Sequence, residues 1–301
     1  MSALVRHVAL VSESNRAAPS DLMRVSAALQ KQATRDLAPI WEVSATVDSF
    51  AKLEDIPDGY WPMIIQDDID TPGATGVHKD QDGQPFALIS AADTVDQWSL
   101  TASHEMCEML VDPSGDKQET GDSPQQGQGR VSFLVEVCDP SEAADYAYSV
   151  NGVLVSDFYT PNYFDPVVAS GVRYSYTGHI TQPRQVLRGG YLSWKDAVSG
   201  HWWQQIWFDG GQPTFRDIGP AVASEGSMRA FVDRVTSRDT ARAIARGRVS
   251  AKMAGLTVAQ GQSSLGGNAA MWRKQIDAIL GRRSAPGRTA KTTAGRRRKK
   301  R

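Results

Sequence analysis

The run Trp98 to Pro113, WSLTASHEMCEMLVDP, brings one imidazole and three carboxylates close together in an otherwise apolar stretch. Placed on a helix at about 100° per residue with His104 at zero, Glu108 falls near 40°, Thr101 near 60°, Asp112 near 80° and Glu105 near 100°. All the ionisable groups share one wedge. Leu100, Ala102, Ser103, Met106, Cys107, Met109, Leu110 and Val111 fill the rest of the circumference, so most of the helix is expected to be buried. The run contains no Lys or Arg, and Glu105 with Glu108, like Glu108 with Asp112, stands at a spacing where like charges repel. A bound cation resolves that conflict. The alternatives are a solvated stripe, or an arginine from elsewhere, such as Arg130 or Arg173. A His followed directly by Glu, with a second ligand type four residues on, is the arrangement of a metallohydrolase helix. Positions i and i+4 hold the ion, and i+1 serves as base.

The elements that must position this helix are legible around it. His7 to Ser12 reads as a strand, and Pro19 to Leu37 as a helix capped by Ser20, with Leu22, Val25, Leu29 and Ala33 as its apolar stripe and Pro39 as its stop. Ile40 to Phe50 and Trp61 to Gln66 read as strands. Gly73 to His78 and Pro85 to Ser90 form a hairpin whose first arm lies at a sheet edge, and Asp93 to Val111 is the next helix, closed by Pro113. The order implies an α+β fold, an α/β sandwich with one mixed sheet. Residues 116–129, rich in Gly, Gln and Ser, are expected to form a mobile surface loop. The β-rich part spans 130–222. Within it Asn151-Gly152 marks a hairpin, and Trp194, Trp202, Trp203 and Trp207 are expected in the core. A basic helix over 223–255 precedes linker, short helix and tail over 256–301.

The segment SHEMCEMLVDP resembles the active-site helix of the zincin metallopeptidases, and the strand order before it is similar to their N-terminal subdomain, over about residues 1–115. The sequence has HExxE where that family normally has HExxH. The resemblance implies His104 and Glu108 as metal ligands and Glu105 as general base, with a third ligand from elsewhere. In RVSFLVEVCDP, alternation puts Glu136 and Cys138 on one strand face with Asp139 at the end, which makes Glu136 the first choice and Asp139 the second. Asp112, two turns from His104, is assigned to supporting the ligands or capping the turn at Pro113. His78 on the edge strand, His179 and Tyr159 are candidates for touching substrate, as are Tyr146, Tyr148 and Tyr163. The implied activity is metal-assisted hydrolysis of a peptide or protein, the edge strand holding the chain by strand addition. The cofactor is one divalent ion, zinc first, with manganese or iron suited to the carboxylate-rich donor set.

The 301 residues are 41% hydrophobic, 8% aromatic and 22% charged, which excludes disorder throughout. The net charge of −1 hides a separation. Arg282 to Arg301 holds ten basic and no acidic residues, leaving −11 on residues 1–281. That tail is expected to be disordered and suits nucleic acid, an anionic surface or the acidic body itself. There is no run long enough for a membrane span and no apparent export signal, so a cytoplasmic protein with Cys107 and Cys138 reduced is expected. A competing interpretation keeps the fold but loses the chemistry: a binding or structural module acting through its tail, its wedge plugged by Arg or Lys.

Overall fold

The computed structural model describes residues 4–71, 73–81, 83–92, 94–208, 210–221 and 227–245, with side chains to 236. The basic tail at 282–301, the linker and short helix expected within 256–301, and Asp93 lie outside the described residues. Helices, one mixed sheet and further antiparallel strands make an α+β architecture. Five strands, β1 (Val5–Ser12), β2 (Ser44–Ser49), β3 (Tyr60–Gln66), β4 (Gly76–Gln81) and β5 (Gln84–Ser90), form the first sheet. Its order is β2-β1-β3-β5-β4, parallel except for β4, which runs antiparallel to β5 at the edge. The hairpin and its edge position are as the sequence pattern led one to expect. Val8 to Val11 are all fully buried, because this sheet is covered on both faces. Val8 and Leu10 face the main core, Ala9 and Val11 a smaller one closed by Leu53, Ile56 and Ile69.

Helix α1 (Pro19–Lys31) packs Leu22, Val25 and Leu29 on that sheet, with Pro19 in its first turn. Ala18 occupies the N-cap position and Ser20 does not. Pro39 does not stop the chain's helical course either: a π-helical turn over Gln32–Leu37 runs into the short α2 (Ala38–Trp41). The wider turn absorbs the proline, which lacks the N–H an α-helix would require there. Strand β2 consequently starts at Ser44, not Ile40.

Helix α3 (Val95–Val111) begins at Thr94, whose backbone N–H donates to Gln97 Oε1 at 3.3 Å. Trp98, Ala102, Met106, Met109 and Leu110 are buried in the main core, where each large side chain contributes about 1.5–3 kcal/mol. Two buried serines fix its rotation. Ser99 Oγ donates to the Leu154 carbonyl at 2.9 Å, and Ser103 Oγ accepts from the Ser156 N–H at 2.8 Å while donating to Gln32.

The second sheet is antiparallel, ordered β12-β11-β10-β7-β6, from β6 (Gln118–Asp122), β7 (Arg130–Leu134), β10 (Tyr191–Asp196), β11 (Trp202–Ile206) and β12 (Thr214–Gly219). The segment expected as a mobile loop over 116–129 therefore contains a strand. Its register against β7 pairs Gln118 with Leu134 and Asp122 with Arg130. Phe133 and Trp194 turn to the main core, and Leu134, Tyr191 and Trp202 to the other face. There they meet Phe231 and Val232 of α4 (Met228–Ala245), the described part of the basic helix. Between β8 (Tyr148–Val150) and β9 (Val153–Val155), Asn151 and Gly152 adopt φ of 52° and 75°, the turn their pairing called for.

Candidate metal centre

Four residues singled out by type and spacing meet in one place. His104 Nε2 lies 3.2 Å from Glu108 Oε2, one helical turn on, and 3.3 Å from Asp139 Oδ1. Glu108, Glu136 and Asp139 each place a carboxylate oxygen within 4.8 Å of the others, and all three are buried. Three groups of donors are close enough to share an ion around this point: His104 with Glu108 and Cys138, His104 with Asp139 and Glu142, and Glu108 with Glu136 and Asp139. A fourth, His78 with Glu105 and Glu108, adjoins them.

The backbone explains the convergence. Strand β7 ends at Leu134, so Glu136 and Asp139 are delivered by a turn and not by strand alternation as expected. The turn is held by Val135 N–H to the Lys117 carbonyl at 2.9 Å and Tyr159 N–H to the Val137 carbonyl at 2.7 Å. Cys138 contributes its backbone N–H, which donates to Glu108 Oε1 at 3.1 Å. Its thiol is buried, and burial followed by the neighbouring Cys107 pushes it well above the ordinary range, so it stays protonated. Gly190 is required beside the turn: a Cβ there would come 2.5 Å from the Asp139 carbonyl oxygen.

Glu105 points to the edge strand. Its Oε2 is 3.5 Å from His78 Nδ1, and a Cβ on Gly76 would stand 2.6 Å from its Oε1, so β4 approaches the helix as only glycine permits. His78 is buried, with neither ring nitrogen hydrogen bonded. Tyr159 is also close: after burial and Tyr163, the charges of Glu108 and Asp139 raise its pKa, and its buried hydroxyl has no partner. Other expected contributors lie elsewhere. His179 is exposed, with Nδ1 2.6 Å from Thr177 Oγ1 and its ring against Tyr146. Tyr148 and Tyr163 spend their hydroxyls on Asp36 and the Gln185 carbonyl. Asp112 is a structural cap, accepting from the N–H of Gly115 at 3.0 Å and Lys117 at 2.9 Å.

Sequence reasoning missed Arg229, Asp233 and Glu142. The guanidinium of Arg229, on α4, contacts Glu108 and Glu136 and lies 3.3 Å from Glu105 Oε2, with Nε 3.3 Å from Asp233 Oδ2. An arginine does enter the wedge, but neither of the two suggested. Arg130 is exposed beside Asp122, and Arg173 lies over the Tyr176 ring. Nothing in a helix read only as basic marks Arg229, whose partner Glu108 is 121 positions away.

The Arg229 guanidinium and the His104 imidazole together do not balance this centre. Glu105, Glu108, Glu136 and Asp233 lie against Arg229, and Asp139 lies against His104. Unit charges about 4 Å apart repel by about 4 kcal/mol at the effective dielectric of a protein. The groups of the centre are pushed in opposite directions by burial and by one another. Burial alone would raise Glu108, but Arg229, His104 and His78 hold it well below the usual carboxylate range. Burial would lower His104, and Glu108 and Asp139 instead raise it well above an ordinary imidazole. Burial and then Glu108 push Asp139 up against the pull of His104, while burial drives Asp233 up despite Arg229. Glu142 is pushed up to about 8, mainly by burial. Both Glu136 oxygens lack a well-formed hydrogen bond. Oxygen-rich donors with one imidazole and an excess of negative charge fit a divalent cation, which would let these groups ionise together.

Comparison with known proteins finds no matching family model, no matching curated protein and no matching solved structure. Among the described residues, no helix is long and apolar enough to cross a membrane.

Proposed function

We propose that the chain is a metal-dependent hydrolase of zincin-like architecture acting on peptide bonds. The observation that carries this is the meeting of His104 and Glu108 with Asp139 and Glu136 in a buried cluster whose carboxylates outnumber its cations. His104, Glu108 and Asp139 would hold the ion, with Glu136 as a fourth or alternative donor. When bound, a divalent cation supplies an acidified water and polarises a carbonyl, and zinc, manganese or iron would serve.

The chain's own residues do the rest. Glu105 stands one residue along from the first ligand, beside β4, and is placed to take a proton from the attacking water and return it to the leaving amine. The free edge of β4 offers backbone groups to an extended peptide, and Gly76 lets that strand lie directly against Glu105. His78 and Tyr159 adjoin the same space and are candidates for contacting the scissile carbonyl.

The test is metal analysis after loading with excess zinc or manganese, followed by a protease screen. About one ion per chain is expected, lost on His104→Ala or Glu108→Ala. Glu105→Gln should keep the ion and lose roughly 10²–10⁴-fold in turnover. Metal-free protein with an unchanged fold rejects the proposal. A second reading, a module without catalysis acting through residues 282–301, is favoured by Arg229 standing among the candidate ligands. On that reading, deleting the tail abolishes a salt-dependent partner contact and no variant hydrolyses peptide.

A further inference from the structure

We propose that α4 is an inhibitory latch: Arg229 competes with the divalent cation for the carboxylates of the centre, and the site loads and opens when α4 lifts away. The inference rests on the hydrolase reading above and adds how that site would be regulated.

The two oxygens of Glu108 make the competition specific. Oε1 is committed to the Cys138 N–H at 3.1 Å. Oε2 therefore has to serve a cation shared with His104, which lies 3.2 Å from it, yet the same oxygen is the one Arg229 Nη1 contacts. Nη1 also touches Glu136 Oε2, and Nη2 approaches Glu105, the proton carrier, at 3.3 Å. One side chain thus engages a ligand, an alternative ligand and the base together.

The helix that delivers Arg229 also obstructs the substrate's path. α4 lies against β4, the strand whose free edge would pair with a peptide, and Lys79 of β4 feels the charge of Asp233 on α4. Apart from Arg229, it is held by an apolar patch and a few polar ties. Phe231 and Val232 insert between Leu134, Tyr191 and Trp202 on the outer face of the second sheet. Polar ties come from Met228 N–H to Asp116 Oδ1 at 2.8 Å, Arg229 N–H to the Gly115 carbonyl at 2.9 Å and Gln204 Nε2 to Thr236 Oγ1 at 2.8 Å. These are contacts of a docked helix, and no strand pairing of either sheet involves α4. A ligand that needs the undocked state has its affinity reduced by the fraction of molecules undocked.

The experiment compares full-length wild type, Arg229→Gln and Phe231→Asp by zinc titration against a chromophoric chelator. Arg229→Gln removes the competitor, and Phe231→Asp keeps it while breaking the dock. Both variants are expected to bind zinc at least about tenfold more tightly than wild type, and to show higher peptidase turnover at limiting zinc. If either variant fails to fold, the other still decides. Equal or weaker affinity in the folded variants overturns the latch and leaves the hydrolase reading standing. Absence of zinc binding in all three overturns both.

Discussion

Asp36 and Glu108 are both buried carboxylates in contact with an arginine, and the molecule treats them in opposite ways. Asp36 accepts from Arg35 Nη2 at 2.7 Å, from the Tyr176 hydroxyl at 2.7 Å and from the Tyr148 hydroxyl at 2.9 Å. One negative charge meets one positive charge, and two neutral donors serve the remaining lone pairs. Around Glu108 the proportions are reversed, with four carboxylates about the Arg229 guanidinium, a fifth against His104, and Glu136 without a well-formed hydrogen bond. A carboxylate satisfied from its own surroundings belongs to the architecture. A surplus of them calls for something the chain does not supply.

That contrast can be broken most forcefully at Asp36. Asp36→Ala should cost about 2–4 kcal/mol in urea unfolding, because two half-buried hydroxyls and a guanidinium lose their acceptor. A cost near zero would place Asp36 in the same class as the cluster. Its pH dependence follows from the direction of its shift. Burial would raise Asp36, yet Arg35, Tyr176 and Tyr148 hold it below the usual range. The group therefore stabilises the fold above its unfolded value of about 3.9, and that contribution is lost as pH falls through the lower folded value. Asp36→Asn should flatten the stability profile below about pH 4, and an unchanged acid limb would refute the assignment.

Gly76→Ala sharpens the picture on the other side. The new Cβ would stand 2.5 Å from Thr101 Cγ2 and 2.6 Å from Glu105 Oε1, so about 1–3 kcal/mol of stability should go. Turnover should fall while metal content stays at the wild-type level, since no candidate ligand moves. The smallest effect is the most telling in sign. Glu136→Gln should stabilise the metal-free protein by about 1 kcal/mol, as the repulsion it relieves exceeds the attraction to Arg229 it gives up. Destabilisation would mean that Arg229 already balances the centre.

How much of this was legible follows from which interactions are local. The wedge of His104, Glu105 and Glu108 on α3 and the Asn151-Gly152 turn depend on neighbours within a few residues and are found as read, whereas Asp112 lies past the helix end and turns to cap Gly115 and Lys117. The arrival of Glu136 and Asp139 was legible by residue type, but the route was not. The strand ends two residues before Glu136, and a turn packed against Gly190 brings both side chains round. Strand β6 escaped notice because Gln118, Glu119, Thr120 and Asp122 are exposed, leaving no hydrophobic alternation to read. Pro39 misled because a π-turn accommodates it, and Arg229 because only the tertiary fold brings α4 to α3.

The central claim is that a divalent cation belongs among His104, Glu108 and the acids of the 136–139 turn. Anomalous diffraction at the zinc edge, from Arg229→Gln crystals grown with zinc in excess, addresses it directly. A single strong peak is expected within about 2.0–2.2 Å of His104 Nε2 and of carboxylate oxygens from Glu108 and Asp139 or Glu136. An ordered centre with no peak, its acids protonated and bonded to one another, would contradict it.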